Sequence, residues 1–243
     1  MDLTRDTWKL RILEIIASSS EPLGSWNLVH EMENLGKRMS TATVGRILNE
    51  MENMGYLEKQ SFKGRVITPG GRAALSYARR SLKIEEHKKN LDELINSNVL
   101  KNFLMVLEAR KAIERSTAAL AARHITNEEL ERMEKILDRQ EHHHRDSQSV
   151  AGDDIDFHSL IAKTSRNEAL FSLYMILSTM GQQSELFAKL RTRVGSPYMI
   201  SHRDIYEAIR NRDAEQAEAR MIRHIDNLQQ DVDAYWNEYT ELF

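Results

Sequence analysis

Apolar residues recur every three or four positions along most of the chain, the spacing of helices that bury one face. Between residues 5 and 19, Trp8, Ile12, Ile15 and Ile16 form such a stripe, ended by Ser18-Ser19-Ser20 and the break at Pro22. Leu28, Val29, Met32 and Leu35 form a second, with Ser25 as the expected N-cap and Gly36 at the exit. A third holds Val44, Ile47, Leu48, Met51 and Met54, introduced by the basic turn Lys37-Arg38 and the hydroxyls of Ser40 and Thr41 and stopped by Gly55. Residues 56–62 and 65–68 then read as two strands about the turn Lys63-Gly64. Three short helices and a hairpin predict a winged helix-turn-helix over residues 1–78, whose third helix enters the major groove and whose wing reaches the backbone of double-stranded DNA.

From Arg72 to Asn96 the chain is polar and has no proline or glycine, so residues 79–97 read as a helical linker. At Val99 the pattern changes. Leu100, Phe103, Leu104 and Leu107 open a long amphipathic helix to about His124, and Thr126-Asn127-Glu128-Glu129 carries a capping-box signal for the next. A second, helical domain is therefore expected over residues 98–243. Tyr235, Trp236, Tyr239 and Phe243 are packing residues of its last helix or part of an interface.

Within that domain Asp154 and His158 stand four residues apart, on one helix face, where a carboxylate and an imidazole can grip one ion. His202 and His224 fall on apolar stripes as well, the first beside Ile205 and Ile209, the second beside Met221 and Leu228. An inward histidine needs a partner. One reading is three core histidines bonded separately to carbonyls; the other is a shared divalent metal, zinc first, with nickel or manganese as alternatives.

The chain has no cysteine, so imidazole and carboxylate are the only strong ligands and neither disulfides nor thiol nucleophiles enter. Acids at Asp2, Asp6 and Glu14 argue against a signal peptide, and no long apolar run argues for a membrane span, so a cytoplasmic protein is expected. Residues 1–80 carry a net charge of +3 within a chain of net −3, a mildly basic head on an acidic body. Ser40, Thr41, Thr43 and Arg46 are the expected base-contacting residues, with Lys37, Arg38, Lys63 and Arg65 gripping phosphates. No Walker loop, G-x-S-x-G, G-x-G-x-x-G or H-E-x-x-H is present. Glu141-His142-His143-His144 is half of a di-iron signature without its second half, and reads as a solvated helix end. A metal-dependent hydrolase or lyase is the alternative function for the same histidines and aspartate, and it needs a general base, for which Asp156 and Glu207 are the candidates.

Several stretches of the second domain, in order and spacing, resemble the ligand-binding domain of FadR-type regulators in the GntR family. They are Leu107-Glu108-Ala109-Arg110, Ala118 to Ala122, Asp154-x-x-Phe157-His158, Ser165-Arg166-Asn167-Glu168-Ala169-Leu170, His202, Asp213-Ala214 and Met221-x-x-His224. The resemblance covers residues 99 to 240. It implies a mostly α protein, a winged helix-turn-helix followed by an all-helical antiparallel bundle of six or seven helices. It also implies a metal on Asp154, His158, His202 and His224, a small carboxylate effector beside it, and a homodimer. Arg110 is the residue whose fork suits that carboxylate, against the plainer reading of a surface ion pair with Glu114. The head departs from the GntR pattern: Pro22-Leu23-Gly24 and a single Gly64 replace the usual Pro-Gly stretch and Gly-x-Gly tip, which makes it an atypical winged helix.

Overall fold

The computed structural model describes residues 3–4, 6–97, 99–146, 148–181 and 198–240, in two compact units divided between Lys89 and Asn90. In the first unit, α1 (Thr7–Ser18) starts at Asp6, whose Oδ1 accepts from the N–H groups of Trp8 and Lys9 at 3.2 and 3.1 Å. The second helix, α2 (Ser25–Asn34), is capped one residue earlier than the sequence suggests. Gly24 holds the cap position and donates its N–H to Asn27 Oδ1 at 3.2 Å, so Ser25 already lies in the first turn. Ser40 caps α3 (Thr41–Asn53) by accepting from Thr43 N–H at 3.1 Å. Ile12, Leu13, Leu28, Met32, Leu48 and Met51 close the core of these three helices.

The hairpin pairs β1 (Leu57–Gln60) with β2 (Gly64–Ile67), Leu57 opposite Ile67 and Gln60 opposite Gly64. Leu23 extends this sheet by exchanging two backbone hydrogen bonds with Arg65, at 3.0 and 2.9 Å. Gly64, at φ +127°, sits so close to the Leu23 backbone that no Cβ fits, which accounts for glycine here. The connector helix α4 (Pro69–Ile95) begins inside the head. Thr68 Oγ1 reaches the Gly55 carbonyl at 2.6 Å and accepts the Gly71 N–H at 3.0 Å, while a Cβ on Gly71 would overlap the Tyr56 carbonyl oxygen.

The second unit consists, among the described residues, of α5 (Leu100–His124), α6 (Asn127–Arg145), α7 (Ala151–Thr164), α8 (Glu168–Gly181), α9 (Tyr198–Arg210) and α10 (Ala214–Thr240). The capping box at α6 forms as expected: Glu129 N–H donates to Thr126 Oγ1 at 3.2 Å and Thr126 N–H to Glu129 Oε2 at 2.9 Å. Ala118, Ala121 and Ala122 let the neighbouring helices approach α5, and Leu107, Met133, Leu137, Phe157, Ile205, Ile209, Met221 and Ile225 fill the core around them. Trp236 packs on Phe103, ring centroids 6.0 Å apart, whereas the side chains of Tyr235, Tyr239 and Phe243 lie outside the described residues. Among the described residues no helix is long and apolar enough to cross a membrane.

Candidate metal centre and nucleic-acid face

Asp154 and His158 project from α7, His202 from α9 and His224 from α10, and each is at most 5% exposed. One donor atom from each lies within 4.8 Å of all the others. His202 Nε2 stands 3.2 Å from His158 Nε2, 3.4 Å from His224 Nε2 and 3.5 Å from Asp154 Oδ1. Donors about 2.0–2.1 Å from a tetrahedral zinc ion stand roughly 3.3–3.4 Å from one another, so the spacing suits one such ion. Separate bonds to carbonyls, the other reading of these histidines, would not gather three ring nitrogens in this way.

Each ring is also held from behind. His202 Nδ1 is 3.0 Å from Gln140 Oε1 and His224 Nδ1 is 2.7 Å from Ser201 Oγ. His158 Nδ1 approaches Glu114 Oε2 to 2.5 Å, so that the carboxylate faces the ring nitrogen directly. Oxygen atoms thus stand behind all three Nδ1 atoms, and Nδ1–H tautomers would leave the three Nε2 lone pairs directed at one another's neighbourhood. Burial is the main cause that pushes the His224 imidazole well below its ordinary value of 6.5, and the neighbouring His202 and His158 add to it, so it stays in the neutral form that a metal requires.

Behind His158 lies a buried ion pair. Arg110 Nε donates to Glu114 Oε1 at 2.6 Å, and the two side chains are 3% and 2% exposed. The sequence suggests either a carboxylate clamp or a surface pair; the pair exists, but in the core. Burial would raise the Glu114 carboxyl, yet Arg110 and His158 outweigh it and bring it from 4.5 to about 2. Burial likewise works against the Arg110 charge, and Glu114 and Tyr174 override it to hold the guanidinium above its ordinary value.

Outer ion pairs fix the helices that carry these groups. Arg203 on α9 reaches Glu141 and Asp138 on α6 at 2.7 and 2.5 Å, and Arg139 on α6 reaches Asp153 and Asp156 on α7, both at 2.5 Å. Asp156 is thereby turned to the surface, and Glu207, paired with Arg210 at 3.2 Å, is half exposed, so neither stands with the buried ligands as a general base. In the run after Glu141, His142 and His144 are exposed as a solvated helix end would have them, but His143 Nδ1 meets the buried Asp153 at 2.7 Å.

In the head, Thr41 and Arg46 stand exposed on α3 opposite Val44 and Ile47, joined by Asn49 and Asn53, which the sequence reading missed. Ser40 and Thr43 bond each other at 2.9 Å at the start of that helix. Arg38 and Lys63 are exposed, while Lys37 Nζ lies 5.2 Å above the Trp8 ring. Arg65 differs from its expected role: half-buried, it donates through Nε to Glu52 at 2.8 Å and through Nη2 to Asn49 at 2.5 Å, bracing the hairpin against α3. Phe62, at the wing tip beside Lys63, is fully exposed.

Comparison with known proteins divides at the same place as the fold. Residues 105–227 match the family model of the FCD domain, and residues 10–75 that of the ribonuclease R winged-helix domain. Over 140 residues the chain is 33% identical to the HTH-type transcriptional regulator LutR of Bacillus subtilis, covering 55% of this chain and 63% of that protein. Over 128 residues it is 27% identical to the Uxu operon regulator of Haemophilus influenzae, covering 51% and 48%. The chain thus spans only about half to three fifths of the length of these relatives. A solved Streptococcus agalactiae GntR structure aligns at 20% identity over 94% of this chain and 98% of its own, with a TM-score of 0.45.

Proposed function

The chain belongs to the FCD-domain branch of the GntR family, and from that premise we propose that it is a homodimeric, cytoplasmic transcriptional regulator that binds an operator in double-stranded DNA through its winged helix. Its bundle holds one divalent metal, zinc first and nickel or manganese otherwise, on Asp154, His158, His202 and His224, and senses a small organic acid there. A bound divalent ion supplies a positive, Lewis-acidic centre for an anionic oxygen.

The observation that carries this reading is the charge balance of the buried cluster. Glu114 and Arg110 cancel, and as ligands of a metal the three imidazoles would be neutral and Asp154 would contribute a single negative charge. A divalent ion would therefore leave about one net positive charge in a site shielded from water, and a monocarboxylate neutralises it. Arg110 Nε is bonded to Glu114, and the planar guanidinium beside the cluster is the cation we assign to the acid's carboxylate. On the head, Thr41 and Arg46 face the major groove, Ser40 caps the recognition helix with Thr43 bonded to it at the same end, and Arg38, Lys37 and Lys63 lie along the phosphates; Arg65 positions the wing.

The test joins metal analysis of the purified protein, mass spectrometry of any co-purified acid, and a gel shift with the DNA upstream of its own gene. Stoichiometric metal with a retained shift is expected, and His158→Ala should lose the metal and melt at a lower temperature. Full metal occupancy in a His158→Ala/His224→Ala protein would overturn the ligand assignment, and an unshifted operator would overturn the regulator.

A further inference from the structure

Of the buried polar side chains around the centre, Gln140 is the hardest to explain by folding alone. It stands on the inner stripe of α6, one helical turn beyond Leu137 and two beyond Met133, and is 1% exposed. Its Oε1 is used by His202 Nδ1, while its Nε2 meets no hydrogen-bond partner among the described residues. A buried amide with an unused donor works against the fold, and a leucine there would continue the stripe without that cost.

We propose that Gln140, together with Ser201 and Glu114, is a positioning residue that holds the three imidazoles as Nδ1–H tautomers and so aims their Nε2 lone pairs at one point. The proposal rests on the metal reading given above. The three partners come from different helices: Glu114 on α5 backs His158 on α7, Gln140 on α6 backs His202 on α9, and Ser201 on α9 backs His224 on α10. A neutral imidazole carries its proton on either nitrogen, and a ring without a Nδ1 acceptor spends part of its population with Nε2 blocked. Each partner removes that loss for one ring and fixes the angle of the ring plane.

The partners are graded. Glu114 is a carboxylate and makes His158 the strongest donor; Gln140 offers a neutral carbonyl; Ser201 offers a hydroxyl that can turn. The chain thereby specifies a centre with one enriched ligand and two ordinary ones, while only Asp154 contributes charge directly.

The experiment uses the full-length protein loaded with cobalt(II), whose paramagnetism shifts the ligand-ring protons out of the ordinary proton spectrum. Wild type should show three exchangeable, strongly shifted N–H resonances that vanish in deuterium oxide. Gln140→Leu should bind cobalt and zinc about 10–100-fold more weakly against a competing chelator and lose one of those resonances to fast exchange. Its metal-free melting temperature should be unchanged or raised, since the unused donor is gone, and Gln140→Glu, which keeps an acceptor in place, should restore the affinity. Wild-type affinity with all three resonances in Gln140→Leu would overturn the positioning role while leaving the metal site standing. A metal-free protein destabilised in step with the lost affinity would overturn it too, because it would make Gln140 a packing residue. No cobalt uptake by wild type would overturn the metal reading itself, and this proposal with it.

Discussion

Arg46 and Arg110 both stand on helices, and they show what separates the two units. Arg46 lies on the outer face of α3 in water, while Arg110 is sunk into the bundle against Glu114. An exposed guanidinium keeps its charge without help and costs the fold little, so it is available to a polyanion. A buried one survives only because a carboxylate faces it, and removing either partner strands the other. At Arg46, then, a charge can be removed without touching stability; at Arg110 and Glu114 charge and stability are one property.

The sharpest way to break that contrast is Glu114→Ala. It leaves Arg110 uncompensated and His158 without its partner, and the expected loss is about 3–5 kcal/mol in urea denaturation. A loss under about 1 kcal/mol would mean that water reaches the pair and that the bundle behaves like the head.

Acid should act in the same region with a smaller effect. In metal-free protein the folded His224 resists a proton that the unfolded ring accepts, so its share of stability is complete above 6.5 and is lost as pH falls below that value. Glu114, lowered from 4.5 to about 2, contributes fully above 4.5 and loses its share as pH falls from there toward 2. Melting temperatures of chelator-treated protein should therefore decline below pH 6.5 and again below 4.5. A flat profile would remove the electrostatic account of the cluster.

The smallest stability effect belongs to Arg46→Ala, within about 0.5 kcal/mol of wild type, while its operator affinity falls and its sequence preference alters. Lys63→Ala should be as stable, and should weaken binding uniformly with a salt slope smaller by about one phosphate contact. Arg65→Ala sharpens the comparison from the other side: since Arg65 braces β2 to Glu52 and Asn49, it should lower the melting temperature of the head and weaken DNA binding together. Equal stability in Arg65→Ala and Arg46→Ala would show that the brace carries nothing.

Much of this was legible before any coordinates. The stripes placed the three head helices, and the capping box at Thr126 fixed the start of α6, because both depend on residues a few positions apart. His158, His202 and His224 were readable as inward because imidazoles on an apolar stripe contradict their neighbours. Glu114 was seen only as a neighbour of Arg110, since i,i+4 spacing gives pairing and says nothing of depth. It does lie on the stripe of Leu107, Ala118 and Ala121, and so does Gln140 on that of Met133 and Leu137, so polar residues on an apolar stripe were the overlooked signal. Arg65 reads in the sequence only as a phosphate contact, because its partners Glu52 and Asn49 meet it only once the hairpin has folded back over α3. Gly24 displaced Ser25 as cap because Asn27 reaches back to it, a choice that local propensity leaves open.

The close packing of Gly71 on the Tyr56 carbonyl, with Thr68 bonded across it, makes the base of α4 a weld rather than a hinge. Leu75 and Ala78, buried one and two turns later, extend the weld. The first turns of α4 therefore belong to the same packed body as the hairpin and the end of α3. Further along, Arg79 still ties the helix to Glu14 at 2.8 Å, while the side chains of residues 80–90 are almost all exposed.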